Sequence, residues 1–365
     1  MSAVDFPLIF DGHNDTVLRH HVAATFGEAD DFFAENEGGH IDLPRARKGG
    51  LGGGFFAIFI PNEVKPPQKR DAFPGEKQDE DEGPANYQHP LPAPLDESYA
   101  LRHTMAMAAR LGQWEAASDG QVKIVTTAAE LSNCLANGTF AMILHFEGAD
   151  CLDTNLDALH VFYRAGLRSL GLCWSRPNAF SHGVPFNFPA TPDIGPGLTD
   201  AGKALVRKCN ELGIMIDMSH LNEKGFWDVA EISNAPLICT HSGAHAMAHS
   251  PRNLLDSQLD AIAQTNGLTG INYHTGFLRA DGRSNKPTSV TEIVRHMAYV
   301  ADRVGVDHVA LGSDFDGATM PGDLPDAAAL PNLVTAMRAH GFSEDEILKI
   351  NHGNWVRVLR ETWGE

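Results

Sequence analysis

The sequence predicts an α/β protein of the (β/α)8 barrel class, and three observations carry that prediction. Eight short apolar runs of strand length recur along the 365 residues. Amphipathic stretches of helix length lie between them, the alternation that builds parallel strands with right-handed crossovers. No G-x-G-x-x-G follows the first run, which weighs against the alternative, an open doubly wound sheet. Length alone suggests two domains, but barrels run this long as one, so 1–365 reads as a single barrel domain.

The first run, residues 8–10, is bounded by Pro7 and Gly12, as suits a buried strand. A glycine-rich stretch precedes the second, 55–60 (Phe-Phe-Ala-Ile-Phe-Ile). From Pro61 to Pro94 the composition turns to Pro, Lys, Gln, Asp and Glu. Residues 61–94 are therefore a long solvated insertion after strand 2. Barrel geometry puts it on the active-site rim, where a lid is one reading. Residues 97–118 read as a helix with Tyr99, Leu101, Met105 and Leu111 inward, and 122–125 as a short extended piece. Thr127 caps a helix that ends at Asn137-Gly138. The other six runs are 142–146, 168–173, 214–218, 237–239, 268–273 and 308–311. Helices fall at 156–165, 199–212, 223–233, 259–264 and 291–304, with Thr199 or Asp200 as a cap and Gly213 as a stop. Two extra helices, 327–339 and 343–362, close the chain. Ser343 and Glu346 form a capping box.

A formal charge of −19 argues against nucleic acid and anionic membranes as partners. Five cysteines, an odd number with no C-x-x-C pair, fit reduced thiols in a cytoplasmic protein better than a disulfide framework. No basic leader precedes Arg19, and no apolar run reaches transmembrane length.

The residues at the ends of the runs decide the function class. The first run leads into His13 and Asp15, the third ends at Glu147, the fifth at His220, the sixth at His241 and the eighth at Asp314. In a barrel these positions share the C-terminal rim, where active sites are built. A strand-end Glu often caps a helix, and a lone His is usually a satisfied core residue. The shared rim is the feature that favours a site. Imidazoles and carboxylates in this mixture suit zinc-like ions. Three histidines, an aspartate and a glutamate are an inventory for two, with a carboxylate able to bridge them. Asp314 is then left to shuttle a proton.

Asp11-Gly-His-Asn-Asp-Thr16, Phe146-Glu-Gly-Ala149, Ile216-Asp-Met-Ser-His220, Thr240-His-Ser-Gly243, Ser250-Pro-Arg-Asn253 and Gly312-Ser-Asp-Phe-Asp-Gly317 resemble, in order, the motifs of the membrane (renal-type) dipeptidase family, part of the metal-dependent amidohydrolase superfamily. The resemblance runs to Asn354-Trp-Val-Arg357. It implies a barrel enzyme with two zinc ions that hydrolyses dipeptides through a metal-bridging hydroxide, and a homodimer. It implies that His13 and Asp15 hold one ion, His220 and His241 the other, and that Glu147 bridges them. Arg252 would grip the substrate carboxylate, and Asp314 would carry the proton to the leaving amine. Related barrels hydrolyse lactones, phosphotriesters and N-acyl amino acids, which is the rival reading. A non-catalytic metal-binding protein is a further one. Other divalent metals also suit these donors.

One position departs from the family. Members often carry an oxyanion-stabilising histidine after the fourth strand, and here the register gives Trp174. Either Trp174 reshapes the pocket as a wall residue, or His182 supplies the donor. Asp217 and Ser219 are placed to orient ligands. His145 shares the face of Glu147 and reads as either a ligand support or core. His40 and His103 are assigned to surface or packing.

Overall fold

A computed structural model describes residues 8–27, 30–65, 85–284 and 287–364. Nine parallel strands form its sheet: β1 (Ile9–Asn14), β2 (Leu51–Ile58), β3 (Val122–Ile124), β4 (Phe140–Glu147), β5 (Leu167–Gly171), β6 (Met215–Asp217), β7 (Ile238–Cys239), β8 (Leu268–Ile271) and β9 (Val309–Leu311). Eight of them follow one another as β1-β2-β4-β5-β6-β7-β8-β9. The short piece at 122–125 is the ninth strand. It pairs with the first residues of β4, while β5 pairs with the last. The ring closes where β1 meets the turn after β9: Asp314 N–H donates to His13 O at 2.9 Å and Asp15 N–H to Phe315 O at 2.8 Å. The result is the (β/α)8 barrel.

Strand side chains alternate between two faces, and the core divides accordingly. Phe10, Phe55, Ile143, Met215, Ile238, Leu268 and Ala310 gather inside with Trp355 and Leu359 of the last helix, Asn354–Trp363. Leu144 and Phe146, their alternates on β4, pack in the larger cluster with the surrounding helices. Trp355 plugs the barrel: Nε1 donates to Leu311 O at 3.1 Å and the ring lies 4.9 Å from Phe55. Gly12 is tied to this filling. A Cβ there would come within 2.7 Å of Thr240 O, Leu311 O and Trp355.

The expected caps recur. Thr127 Oγ1 accepts from Glu130 N–H, Thr199 Oγ1 from Gly202 N–H, and Ser343 and Glu346 cap reciprocally. Gly138 and Gly213 end their helices in left-handed backbone. Three details differ from expectation. Met105 is 58 % exposed, because helix Glu97–Ala117 buries Ala100, Thr104, Met107, Leu111 and Trp114 instead. Helices Thr16–Thr25 and Leu43–Gly49 were not expected. The closing helix divides into Glu344–Leu348, a widened turn Lys349–Gly353, and Asn354–Trp363.

Most of the 61–94 insertion, residues 66–84, lies outside the described residues. Its described end runs over the rim: Ala85 N–H donates to Asp281 O, and Tyr87 and Phe188 exchange backbone bonds. No helix among the described residues is long and apolar enough to cross a membrane.

Candidate active site

The C-terminal ends of the strands bring six ionisable side chains to one buried point. His13 is the penultimate residue of β1, Glu147 ends β4, His220 and His241 lie just past β6 and β7, and all are buried with Asp15 and Asp314. Donor atoms of Glu147, His220 and His241 lie within 4.8 Å of one another, and so do those of His13, Asp15 and Asp314. Glu147 joins the two groups. Its Oε1 is 3.0 Å from His220 Nε2 and 3.7 Å from His241 Nε2, while Oε2 is 3.6 Å from His13 Nε2.

Hydrogen bonds decide which nitrogens face inward. The Thr240 hydroxyl donates to Asp217 Oδ2 at 2.6 Å, so its oxygen accepts from His241 Nδ1 at 2.8 Å. The His241 Nε2 lone pair then points at Glu147. His220 Nδ1 meets Ser175 Oγ at 2.8 Å, and its Nε2 lies 3.0 Å from that of His241. Asp217 also accepts from the Ser219 and Thr240 N–H groups, and Ser219 Oγ accepts from His241 N–H. Asp217 and Ser219 thus tie the ends of β6 and β7 together. His145 is fully buried between Ser169 Oγ at 2.8 Å and Asp217 Oδ2 at 3.6 Å.

Electron-pair donors converge here, with buried Arg252 as the nearby cationic side chain. Burial pushes Glu147 up to about 7 and raises Asp15. It drives His220 and His241 well below the ordinary imidazole range, helped by nearby Arg252. Burial disfavours a charged His13 too, but the Glu147 and Asp15 carboxylates outweigh it and hold its pKa well above normal. Among the described residues neither ring nitrogen of His13 nor Asp15 Oδ1 has a hydrogen-bond partner. Buried unpaired lone pairs are costly. Divalent cations satisfy such a set, so the residues fit a metal centre.

The surroundings hold the remaining expected residues. Arg252 is 3 % exposed, donates to His241 O at 3.2 Å, and lies 5.6 Å from the Phe277 ring. Trp174 packs at 4.9 Å from Phe59, 5.3 Å from Phe186 and 5.9 Å from His220. His182 packs against Gly195. Two residues escaped the sequence reading. Asn272, just past β8, donates to Asp314 Oδ2 at 2.9 Å. His40, expected at the surface or in packing, bonds the turn after Asp314: its backbone N–H donates to Asp316 Oδ1 at 2.7 Å. A polar residue at a strand end was the signal for Asn272. Nothing local signalled His40.

Residues 3–363 match the membrane dipeptidase family, peptidase family M19. The chain is similar to the solved structure of dipeptidase AC, a metallopeptidase of that family, at 44% identity and a TM-score of 0.91, covering 99% of this chain and 100% of that one. It is also similar to a metallopeptidase from Rhodobacter sphaeroides liganded with a phosphinate mimic of the dipeptide L-Ala-D-Ala: 44% identity, TM-score 0.90, 98% and 100% covered. Dipeptidase tcpJ of Claviceps purpurea is 30% identical over 96% of this chain and 76% of its own length. The chain belongs to the membrane dipeptidase family, the M19 metallopeptidases.

Proposed function

We propose that the protein hydrolyses the peptide bond of dipeptides at a centre for two divalent cations, zinc being suited to its donors. The observation that carries this reading is Glu147, whose two oxygens divide between His13 and the His220–His241 pair. Cations there would supply Lewis acidity toward a carbonyl oxygen and make a water more acidic. His13 and Asp15 would hold one, His220 and His241 the other, and Glu147 both.

The remaining residues bind substrate and move the proton. Arg252 Nε is buried and without a hydrogen-bond partner among the described residues. A planar guanidinium with unspent donors suits the substrate's free carboxylate. Asp314, oriented by Asn272, takes a proton and returns it to the leaving amine. Trp174, with Phe59 and Phe186, walls the pocket beside His220. The dipeptide mimic in the Rhodobacter neighbour supports a ligand of this size.

Metal analysis with a library of L-L and L-D dipeptides tests the reading, counter-screened with lactones, phosphotriesters and N-acyl amino acids. Cation-dependent cleavage of free dipeptides is expected, with amidated ones poor. Arg252→Ala should erase that preference. Turnover of the counter-screen alone would overturn the assignment.

A further inference from the structure

The turn after β9 reads Ser313-Asp-Phe-Asp-Gly317 and holds two residues in left-handed backbone, Asp314 at φ +59° and Asp316 at φ +66°. This conformation is disfavoured for residues with a Cβ, though Asp tolerates it better than most. Neighbours must therefore impose it. On one side Ser313 donates twice to the Asp11 carboxylate, each bond at 2.7 Å, and Asp314 N–H donates to His13 O. On the other side the work falls to the Asp316 side chain.

That carboxylate is fully buried and gathers three segments. Oδ2 accepts from Thr16 Oγ1 at 2.8 Å, directly after Asp15. Oδ1 accepts from His40 N–H at 2.7 Å and lies 3.5 Å from Arg19 Nε. The Asp316 N–H in turn donates to His40 Nδ1 at 2.9 Å. Gly317 completes the turn, and a Cβ there would strike both the Asp15 and Asp314 carboxylates. A slight rotation of this turn therefore changes where Asp314 points relative to Asp15.

We propose that Asp316 is a positioning residue that sets the Asp314 carboxylate for proton transfer, through Thr16, Arg19 and His40. The proposal rests on the reading of Asp314 as the proton shuttle. Asp316 binds no substrate in it. Misplacing a reacting group by about 1 Å costs on the order of a hundredfold, and that is the scale expected when the carboxylate is removed.

The test uses the cation-loaded protein and a dipeptide. Asp316→Ala should keep its cations and its KM within about threefold, and lose kcat by about ten- to a hundredfold. Asp316→Asn keeps an acceptor for His40 and an N–H for the Thr16 hydroxyl, so it should recover most of the loss. Because Asp316 acts through Asp314, Asp314→Asn with Asp316→Ala should be no slower than Asp314→Asn alone. Should Asp316→Ala not fold, Thr16→Val removes a single bond and should cost kcat about three- to tenfold. Unchanged kcat, multiplicative losses in the double variant, or cation loss in proportion to kcat would each overturn the proposal. Full turnover in Asp314→Asn would sink the shuttle reading itself.

Discussion

The two donor sets that share Glu147 are built differently. His220 and His241, after β6 and β7, each have Nδ1 tied to a hydroxyl, Ser175 and Thr240, and Thr240 is tied in turn to Asp217. Their rings are aimed by side chains. His13 and Asp15 have no such support: neither His13 nitrogen has a hydrogen-bond partner among the described residues, and the segment is fixed through backbone bonds to the turn after β9. The first half is braced without a cation, whereas in the proposed centre a cation would complete the second. Preset ligands lose less freedom on binding. The His220–His241 half should therefore fill first.

Removing the shared residue breaks both halves. Glu147→Ala should lose cations from each and cut kcat/KM by on the order of a thousandfold or more, because several kcal/mol of charge stabilisation go with them. Metal content after gel filtration and steady-state rates check this. Two cations retained at wild-type affinity would show that Glu147 does not join the halves.

A milder change separates them. Thr240→Val removes the hydroxyl that fixes His241 while nearly keeping its shape, and it strands Asp217 Oδ2. Loss of such an outer support costs about ten- to a hundredfold in metal affinity. In wild type the first equivalent of cation should bind tighter than the second, and in Thr240→Val that gap should shrink. A titration with equal affinities in wild type would remove the proposed asymmetry.

The same contrast explains how much the sequence disclosed. The barrel was legible from the alternation of runs and helices, and the six ionisable residues from their places at strand ends. Of their supports, Asp217 and Ser219 were read from their place before His220, but the hydroxyls of Thr240 and Ser175 were not. Thr240 precedes His241 in the chain, but its role depends on Asp217, 23 residues away. His40 meets Asp316 across 276 residues. No pattern of local period can report such a bond. Helix Thr16–Thr25 went unread because Thr, Val and two histidines blur its apolar face. Met105 was misplaced because helix Glu97–Ala117 buries Met107 beside it, a choice made by packing and not by residue type.

The smallest expected effect lies in the pH response, with one buried histidine supporting each half. His296 accepts Ala244 N–H at 3.1 Å through Nδ1 and donates Nε2–H to Leu278 O at 2.9 Å, bracing the loop after His241. His20 takes Arg19 at Nε2 and bonds Asp30 O through Nδ1, bracing the segment after Asp15. Burial lowers each to about 4, with Arg19 adding to the effect on His20. A depressed imidazole stays neutral in the folded chain while the unfolded chain takes up the proton. Stability is therefore whole above the ordinary value near 6.5 and falls as pH drops toward 4. Each histidine should cost about 2 kcal/mol between about pH 7 and about pH 5. His296→Gln can reproduce both bonds without titrating. Urea unfolding of that variant should lose less stability across the interval than wild type, and by about that amount. Parallel losses in the two proteins would mean that the His296 proton is not the group the acid limb reads, and that the β7 side owes its order to the hydroxyls alone.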